Sequence, residues 1–207
     1  DDLEKIVLVL DVLQKTVYHL NEFAQNLLYM ESSRKDFNRI EELQDIKASE
    51  TVGSKGQNTL SILLDIINRC DKDDMECIDK KEKINFWLDK FDLGDDIDVS
   101  EVDKSRYSIN IRNKHLGIYN NILDVGVGTS QLLPIIVESV NSKKRSKIII
   151  EEPETHIHPK AQATLADLFV DSAIRDDKKF IIETHSIFLI TQLQILVASG
   201  KIDADNV

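Results

Sequence analysis

Two short apolar runs, each followed by polar side chains, dominate the second half of the chain. Residues 148–150 are isoleucines followed by Glu151 and Glu152, and residues 180–182 are followed by an acid and then His185. Short β-branched runs predict buried strands, and the amphipathic stretch between them predicts a helix. A right-handed crossover makes such strands parallel, so these acids and the histidine are expected at one edge of the sheet.

The start of the chain has a different period. Its apolar residues recur every three or four positions, which predicts a helix with a heptad repeat. The positions flanking this repeat also hold apolar side chains such as Val9 and Phe23 rather than charges, which favours a helix packed over a wide face. A projecting arm is the alternative. The repeat consists of Leu3, Ile6, Leu10, Leu13, Val17, Leu20, Ala24 and Leu27.

The middle of the chain predicts shorter elements. Residues 27–30 are expected to form a short strand, and residues 84–91 a short amphipathic helix. Residues 70–79 are expected to be an acidic, solvated segment. Residues 95–98 are expected to be an acidic turn, because the glycine and the closing glutamate of a calcium loop are missing.

Alternation of polar and apolar residues over 106–112 predicts a half-exposed antiparallel strand. Residues 113–115 are its expected turn, and residues 116–119 its returning partner. Pro159 is expected to begin a helix, and Ser186 to cap the last one.

Residues 51–58 form a polar, glycine-containing loop. A Walker A phosphate loop requires G-x-x-x-x-G-K-[ST], in which the lysine reaches phosphate and the hydroxyl reaches Mg²⁺. Gly56 is followed by Gln57 instead of lysine, and no other segment supplies the motif. The loop is therefore predicted to be a structural turn.

A second glycine-containing turn precedes an apolar helix expected from Gln131. Gly126 and Gly128 let the backbone approach an anion, while Thr129 and Ser130 can cap the helix and donate hydrogen bonds. The positive end of the helix favours phosphate at the same place. A plain helix cap is the alternative.

The two adjacent glutamates suit metal-assisted chemistry. Mg²⁺ is commonly held by one or two carboxylates plus substrate phosphates, while a neighbouring carboxylate orients or deprotonates water. A solvated strand end is the alternative. His156 and His158 share one face of an extended segment, which leaves a metal pair as a minor alternative.

Composition narrows the class of protein. The chain has 207 residues, 42% of them hydrophobic, which is enough for one domain with a core. The formal net charge of -11 argues against a surface that is basic overall, so DNA contact would need a partner or a local patch. Residues 143–145 are expected to be a solvated turn, with a small DNA-facing patch as the alternative. No apolar run reaches membrane-spanning length and no signal peptide is visible. Cys70 and Cys77 are expected to be reduced thiols, with a disulfide as the alternative, and the protein is expected to be cytoplasmic.

Taken in order, these motifs resemble those of ABC-type ATPases. Residues 148–152 look like a Walker B segment, residues 153–160 like the loop after it, and residues 184–186 like the switch-histidine segment. Residues 124–134 resemble the signature loop and helix in the form used by ATPases of the overcoming-lysogenization-defect (OLD) type and related prokaryotic defence ATPases. Residues 31–34 resemble a strand-end segment with an arginine, although a surface charge is the alternative for Arg34.

The resemblance implies roles for these residues. Glu151 would bind Mg²⁺ directly or through water, Glu152 would polarise the attacking water, and His185 would sense the γ-phosphate of ATP. Residues 127–131 stand where transport ATPases carry Leu-Ser-Gly-Gly-Gln, so Gly128, Thr129, Ser130 and Gln131 would contact ATP held by the opposite subunit of a homodimer. Gly128 replaces the usual serine, and Thr129 and Ser130 replace the usual glycines.

The expected fold is α/β: an ABC-ATPase-like parallel sheet with flanking helices and a helical addition at the N-terminal side. Residues 1–104 would form the helical or inserted part of the ATPase, with short strands, and residues 105–207 the signature, Walker B and switch-histidine part. The chain opens on Asp1 and ends where another strand could begin, so it is expected to be a portion of a longer polypeptide, and where the missing Walker A loop is supplied stays open.

The expected function is an ATPase that dimerises around ATP and controls a nuclease or other effector, acts in antiviral defence or on DNA, and has no membrane contact. Residues 1–207 alone are not expected to hydrolyse ATP. Two alternatives remain, a non-catalytic ATPase-like scaffold and the nucleotide-binding subunit of an ABC transporter.

Overall fold

The computed structural model describes residues 2–43 and 49–207 and shows an α/β fold. The predicted parallel sheet with flanking helices is confirmed. The helices are α1 (Asp2–Gln25), α2 (Thr59–Cys70), α3 (Met75–Lys90), α4 (Ile122–Val125), α5 (Val127–Asn141), α6 (Pro159–Asp176) and α7 (Ile187–Ala198), with a short 3₁₀ helix at Ala204–Asn206. The strands are β1 (Leu27–Met30), β2 (Glu41–Glu42), β3 (Asp96–Asp103), β4 (Arg106–Arg112), β5 (Tyr119–Asn121), β6 (Lys147–Glu151) and β7 (Lys179–Glu183).

The central sheet is parallel and has the order β1-β6-β7. Strand β6 lies in the middle and pairs with a strand on each side, and its Ile148 and Ile150, which share one face of the sheet, are fully buried. Helix α6 connects β6 to β7, so the predicted βαβ unit is confirmed, and so is the short strand at residues 27–30.

The second sheet is antiparallel and is built around β4. Strand β3 pairs with β4 along its length. Strand β2 pairs with the start of β4, and β5 pairs with its end. The predicted strand at residues 106–112 is confirmed. Its return partner begins at Tyr119 rather than residue 116, because residues 113–118 form a wider turn in which Asn113 N–H donates to Ile118 O and Gly117 N–H to Asn113 O.

Helix α5 lies at the centre of the described core and contacts α2, α3, α4 and α6. Its residues 132, 133 and 135–137 are at most 1% exposed, so the apolar middle of the helix is buried on all sides. The prediction that it begins at Gln131 is wrong. The helix begins at Val127, after Gly126, whose φ of 146° is readily adopted only by glycine.

The prediction that α1 packs over a wide face is wrong for the described side chains. Leu10, Leu13, Val17 and Leu20 are 55–62% exposed. At the end of the helix, Lys147 Nζ lies 4.4 Å from the ring centroid of Phe23. This arrangement agrees with the alternative, a projecting arm.

Two predictions for the middle of the chain also need correction. Helix α3 starts at Met75, well before residue 84, because Asp74 caps it by accepting from the N–H groups of Glu76 and Cys77. Residues 95–98 were expected to turn, but β3 begins at Asp96. Its Ile97 and Val99 are buried against the core, and alternation of these apolar residues with acids is a strand pattern.

A buried carboxyl group joins α5 to the loop before α2. Glu138 is 2% exposed, and its Oε2 accepts from Val52 N–H at 2.7 Å. Burial raises the pKa of Glu138 to about 7, although the Val52 hydrogen bond and the charge of Lys178 act in the opposite direction. Lys178, 3% exposed, donates to Ser139 O at 2.6 Å.

This raised pKa predicts a pH dependence of stability. Between pH 4.5 and 7 the folded protein keeps a proton on Glu138 that the unfolded chain has released, so stability falls as pH rises through this window. The loss approaches about 3 kcal/mol, on the scale of 1.36 kcal/mol per pKa unit. Urea unfolding of wild type and Glu138→Gln at several pH values measures it. The variant should lose that part of the slope, and equal slopes would contradict the prediction.

Candidate functional site

The carboxyl ends of β6 and β7 bring the predicted acids together. Glu151 pairs in register with Glu183, and Glu152 N–H donates to Glu183 O at 2.8 Å. Glu152 has a φ of 38°, in the left-handed region that non-glycine residues rarely adopt. Such backbone conformations cluster at functional sites and are held by surrounding contacts. Its carboxylate accepts from Thr155 Oγ1 at 3.3 Å.

Strand β1 and the segment that follows it each supply a contact to this edge. Tyr29 O–H donates to Glu151 Oε1 at 2.6 Å, and this hydrogen bond raises the pKa of Tyr29 to about 12. Arg34 is 4% exposed and donates to the main-chain oxygens of Glu151 at 3.3 Å and Glu152 at 3.2 Å. The alternative that Arg34 is a surface charge is therefore wrong.

Neither contact was assigned from the sequence. The parallel pairing of β1 with β6 is long-range, and no local pattern marks Tyr29. A strand followed by an arginine was the only available signal for Arg34.

His185 lies at the same edge, beyond β7. Its side chain is exposed. Its main-chain N–H donates to Glu154 Oε1 at 2.6 Å. The next residue, Ser186, caps α7 by accepting from Leu189 N–H at 3.1 Å, and it also donates to Gln162 Oε1 at 2.6 Å. The turn after β6 and the turn after β7 are thus joined by a charged hydrogen bond.

The signature-like residues form the first turn of α5. Thr129, Ser130 and Gln131 are 1–5% exposed, and Gln131 Nε2 donates to Asp36 Oδ1 at 3.2 Å. A Cβ atom at Gly128 would lie 3.1 Å from His156 O, so this helix start packs closely against the turn that follows β6. Gly126, which directly precedes the helix, is exposed.

The loop at residues 51–58 is a structural turn, as predicted. It packs between the segment after β1 and helix α5: Lys35 N–H donates to Lys55 O at 2.8 Å, while a Cβ at Gly56 would lie 2.7 Å from Pro134 Cβ. With a φ of 74°, Gly56 also needs the conformational freedom of glycine.

Glu151 and Glu152, called the acidic edge, provide donor atoms of the kind that a magnesium ion prefers. Glu151 and Glu152 are half-buried carboxylates at a strand end, and Mg²⁺ typically takes one or two carboxylates and fills its other positions with water and phosphate oxygens. Among the described residues, no group of three His, Cys, Asp or Glu side chains could hold an ion alone. His156 and His158 are exposed, and His158 Nδ1 accepts from Lys160 N–H at the start of α6 instead.

The charge of the basic loop at residues 143–145, for which a DNA-facing patch is the alternative, is partly neutralised. Lys143 Nζ lies 2.8 Å from Glu50, and Arg145 Nε lies 3.3 Å from Asp177. These ion pairs reduce the positive charge that the loop offers to a phosphate backbone.

Comparison with known proteins gives one family. A family model described as an AAA ATPase domain matches residues 7–190. Comparison with curated proteins gives no match. No helix in the described part of the chain combines the length and the hydropathy needed to cross a membrane.

Several solved structures are similar in shape. A chain from a study of ATP-driven dimerization and DNA-stimulated activation of SMC ATPases is 12% identical, with a TM-score of 0.44 over 55% of this chain and 71% of that chain. The Smc head domain from Pyrococcus furiosus, bound to the C-terminal domain of ScpA, is 13% identical, with a TM-score of 0.43 over 62% and 35%. The SMC head domain from Thermotoga maritima is 10% identical, with a TM-score of 0.41 over 70% and 51%.

Proposed function

The chain belongs to the AAA ATPase domain family, and on that premise we propose that it is part of an ABC-type ATPase that binds and hydrolyses ATP. The observation that supports this proposal is the arrangement at the ends of β6 and β7. There the register of two parallel strands brings Glu151 beside Glu183, and a hydrogen bond from His185 N–H to Glu154 joins the two turns. In open α/β sheets, the carboxyl ends of parallel strands are the usual place for ligand binding.

In this proposal each residue of the edge has one role. Glu151 would hold Mg²⁺ directly or through water, and the ion would neutralise charge at the phosphates. Glu152, next along the chain, would orient and deprotonate the attacking water. His185, whose side chain is exposed at the same edge, would contact the γ-phosphate.

The start of α5 would contact ATP bound mainly by a second copy of the protein. Because the side chains of Thr129, Ser130 and Gln131 are buried, the contribution of this turn would come chiefly from backbone N–H groups and the helix terminus near Gly126 and Gly128. The proposed assembly is therefore a homodimer with ATP at the interface.

The missing phosphate loop would be supplied by a segment outside residues 1–207. One place for its strand is the open edge of β7, which pairs only with β6 in the described part of the chain. Ile181 on β7 is 55% exposed, which is unusual for a parallel strand. We further propose that residues 105–207 carry the signature, Walker B and switch-histidine motifs, and that residues 1–104 form the helical or inserted part.

The biological role follows the resemblance to OLD-like and defence ATPases. We propose a cytoplasmic ATPase whose nucleotide-dependent dimerisation controls an effector such as a nuclease, in antiviral defence or on DNA. The ion pairs of Lys143 and Arg145 make the loop at residues 143–145 a poor DNA contact.

ATP turnover by the protein purified from its own cells tests the proposal, with the polypeptide of residues 1–207 assayed in parallel. We expect turnover by the native protein and none by residues 1–207. Turnover by residues 1–207 would contradict the external phosphate loop. A native protein that neither binds nor hydrolyses ATP would overturn the ATPase and support the non-catalytic scaffold.

A further inference from the structure

Arg34 is a buried arginine that binds main-chain oxygens. Its Nη1 donates to Glu31 O at 3.1 Å and Glu151 O at 3.3 Å, and its Nη2 donates to Glu152 O at 3.2 Å. Burial lowers the pKa of Arg34 to about 10, against the opposing charges of Glu154 and Glu152, so the group stays charged at neutral pH. A buried charge is costly unless it is hydrogen-bonded, so these contacts fix the end of β6 relative to the segment after β1.

The same segment also reaches the signature-like helix. Asp36, two residues after Arg34, accepts from the side chain of Gln131, which is 5% exposed and lies in the first turn of α5. Two backbone hydrogen bonds hold the segment against the loop before α2: Glu31 N–H donates to Ser54 O and Lys35 N–H to Lys55 O, both at 2.8 Å. Residues 31–36, the linking segment, thus contact the end of β6, the start of α5 and the loop before α2.

We propose that the linking segment couples the start of α5 to the backbone of Glu152, with Arg34 as the positioning residue. This inference rests on the proposed function, in which α5 meets the partner's nucleotide while Glu152 acts on the nucleotide of its own subunit. A displacement of Gln131 is transmitted through Asp36 and Arg34 to the main chain at Glu152. The two nucleotide sites of the dimer are then connected through each subunit.

Arginine is the residue that this position requires. Its planar guanidinium presents several donors in a fixed geometry, whereas lysine offers one compact ammonium on a flexible stem. Arg34→Lys therefore keeps the charge but cannot hold the oxygens of Glu151 and Glu152 in the same fixed relation. A suitable control is Arg106→Lys, because Arg106 lies on β4 in the other sheet and pairs with Asp103 at the surface.

The first test is NMR of the backbone amides of the native protein in the absence of nucleotide. Arg34→Lys is expected to shift the amide signals of Glu152, which donates to Glu183 O, and of His185, which donates to Glu154. Arg106→Lys should shift neither. Unchanged Glu152 and His185 signals in a folded Arg34→Lys variant would overturn the positioning role.

The second test addresses coupling. Gln131→Glu replaces the donor facing Asp36 with a carboxylate of the same size, and it should shift the Glu152 amide when residue 34 is arginine. The shift should be lost when residue 34 is lysine. An equal shift in both backgrounds would overturn the coupling. If Gln131→Glu fails to fold, Gln131→Ala serves the same comparison.

Turnover separates this inference from the proposed function. In the native protein, Arg34→Lys is expected to lower kcat by roughly tenfold to a hundredfold, the scale seen when outer-shell partners of a metal site are replaced, with KM little changed. Coupled amide shifts without any ATP turnover would leave the coupling standing and remove the ATPase. A loss of turnover in Glu152→Gln without coupled shifts would do the reverse.

Discussion

Replacing Glu152 with glutamine is expected to lower ATP turnover by roughly a hundredfold or more, the contribution typical of a positioned general base. Glutamine has the same size but cannot take a proton from water. The main chain of residue 152 should stay in place, because its N–H donates to Glu183 O and its carbonyl accepts from Arg34. ATP affinity should change little, since the lost contact belongs to the attacking water.

The measurement is phosphate release by the native protein and the variant at saturating Mg²⁺ and ATP. Glu101→Gln is the matched control, because Glu101 is an exposed glutamate on β3 in the other sheet. It should leave turnover unchanged. If Glu152→Gln turns over ATP as fast as wild type, Glu152 is not the base and the acidic edge loses its assigned role.

The second large effect concerns the strand that carries the acids. Ile150 is 0% exposed in the middle of β6, directly before Glu151. Truncation to alanine removes three buried carbon atoms and leaves a cavity in a close-packed core, at a cost of about 3 kcal/mol in the free energy of unfolding. Many domains have only about 5 to 15 kcal/mol in total, so this is a substantial share.

Ile181→Ala provides the comparison, since the same substitution is made on the adjacent strand at a side chain that is 55% exposed. It should cost about 1 kcal/mol or less. Urea unfolding of both variants of residues 1–207 measures the difference. Equal losses would contradict the described burial. A larger loss at Ile181 in the native protein than in residues 1–207 would show that another segment covers β7.

The sequence predicted the central βαβ unit well because its signals are local. Three isoleucines bounded by charge mark β6, and Pro159 and Ser186 mark the starts of two helices. The strand at residues 106–112 was visible for the same reason, since its alternation is contained in seven residues.

Other features depended on contacts that sequence patterns do not encode. The apolar stripe of α1 has the same sequence pattern in a helix that packs on the domain and in one that projects from it. The expectation that Leu13 and Val17 are buried is therefore wrong. Acids at residues 95–98 suggested a turn, yet Ile97 and Val99 place the segment in a sheet. Arg34 and Tyr29 reach the acidic edge only because β1 pairs with a strand more than a hundred residues later.

The most direct test of the central claim is the mass of the native protein carrying Glu152→Gln, determined by native mass spectrometry with ATP, with ADP and without nucleotide. A variant that binds ATP but does not hydrolyse it should accumulate the ATP-bound dimer. We expect dimers with bound ATP, and monomers with ADP or without nucleotide. A mass that is the same in all three conditions would contradict an ATPase that dimerises around its nucleotide.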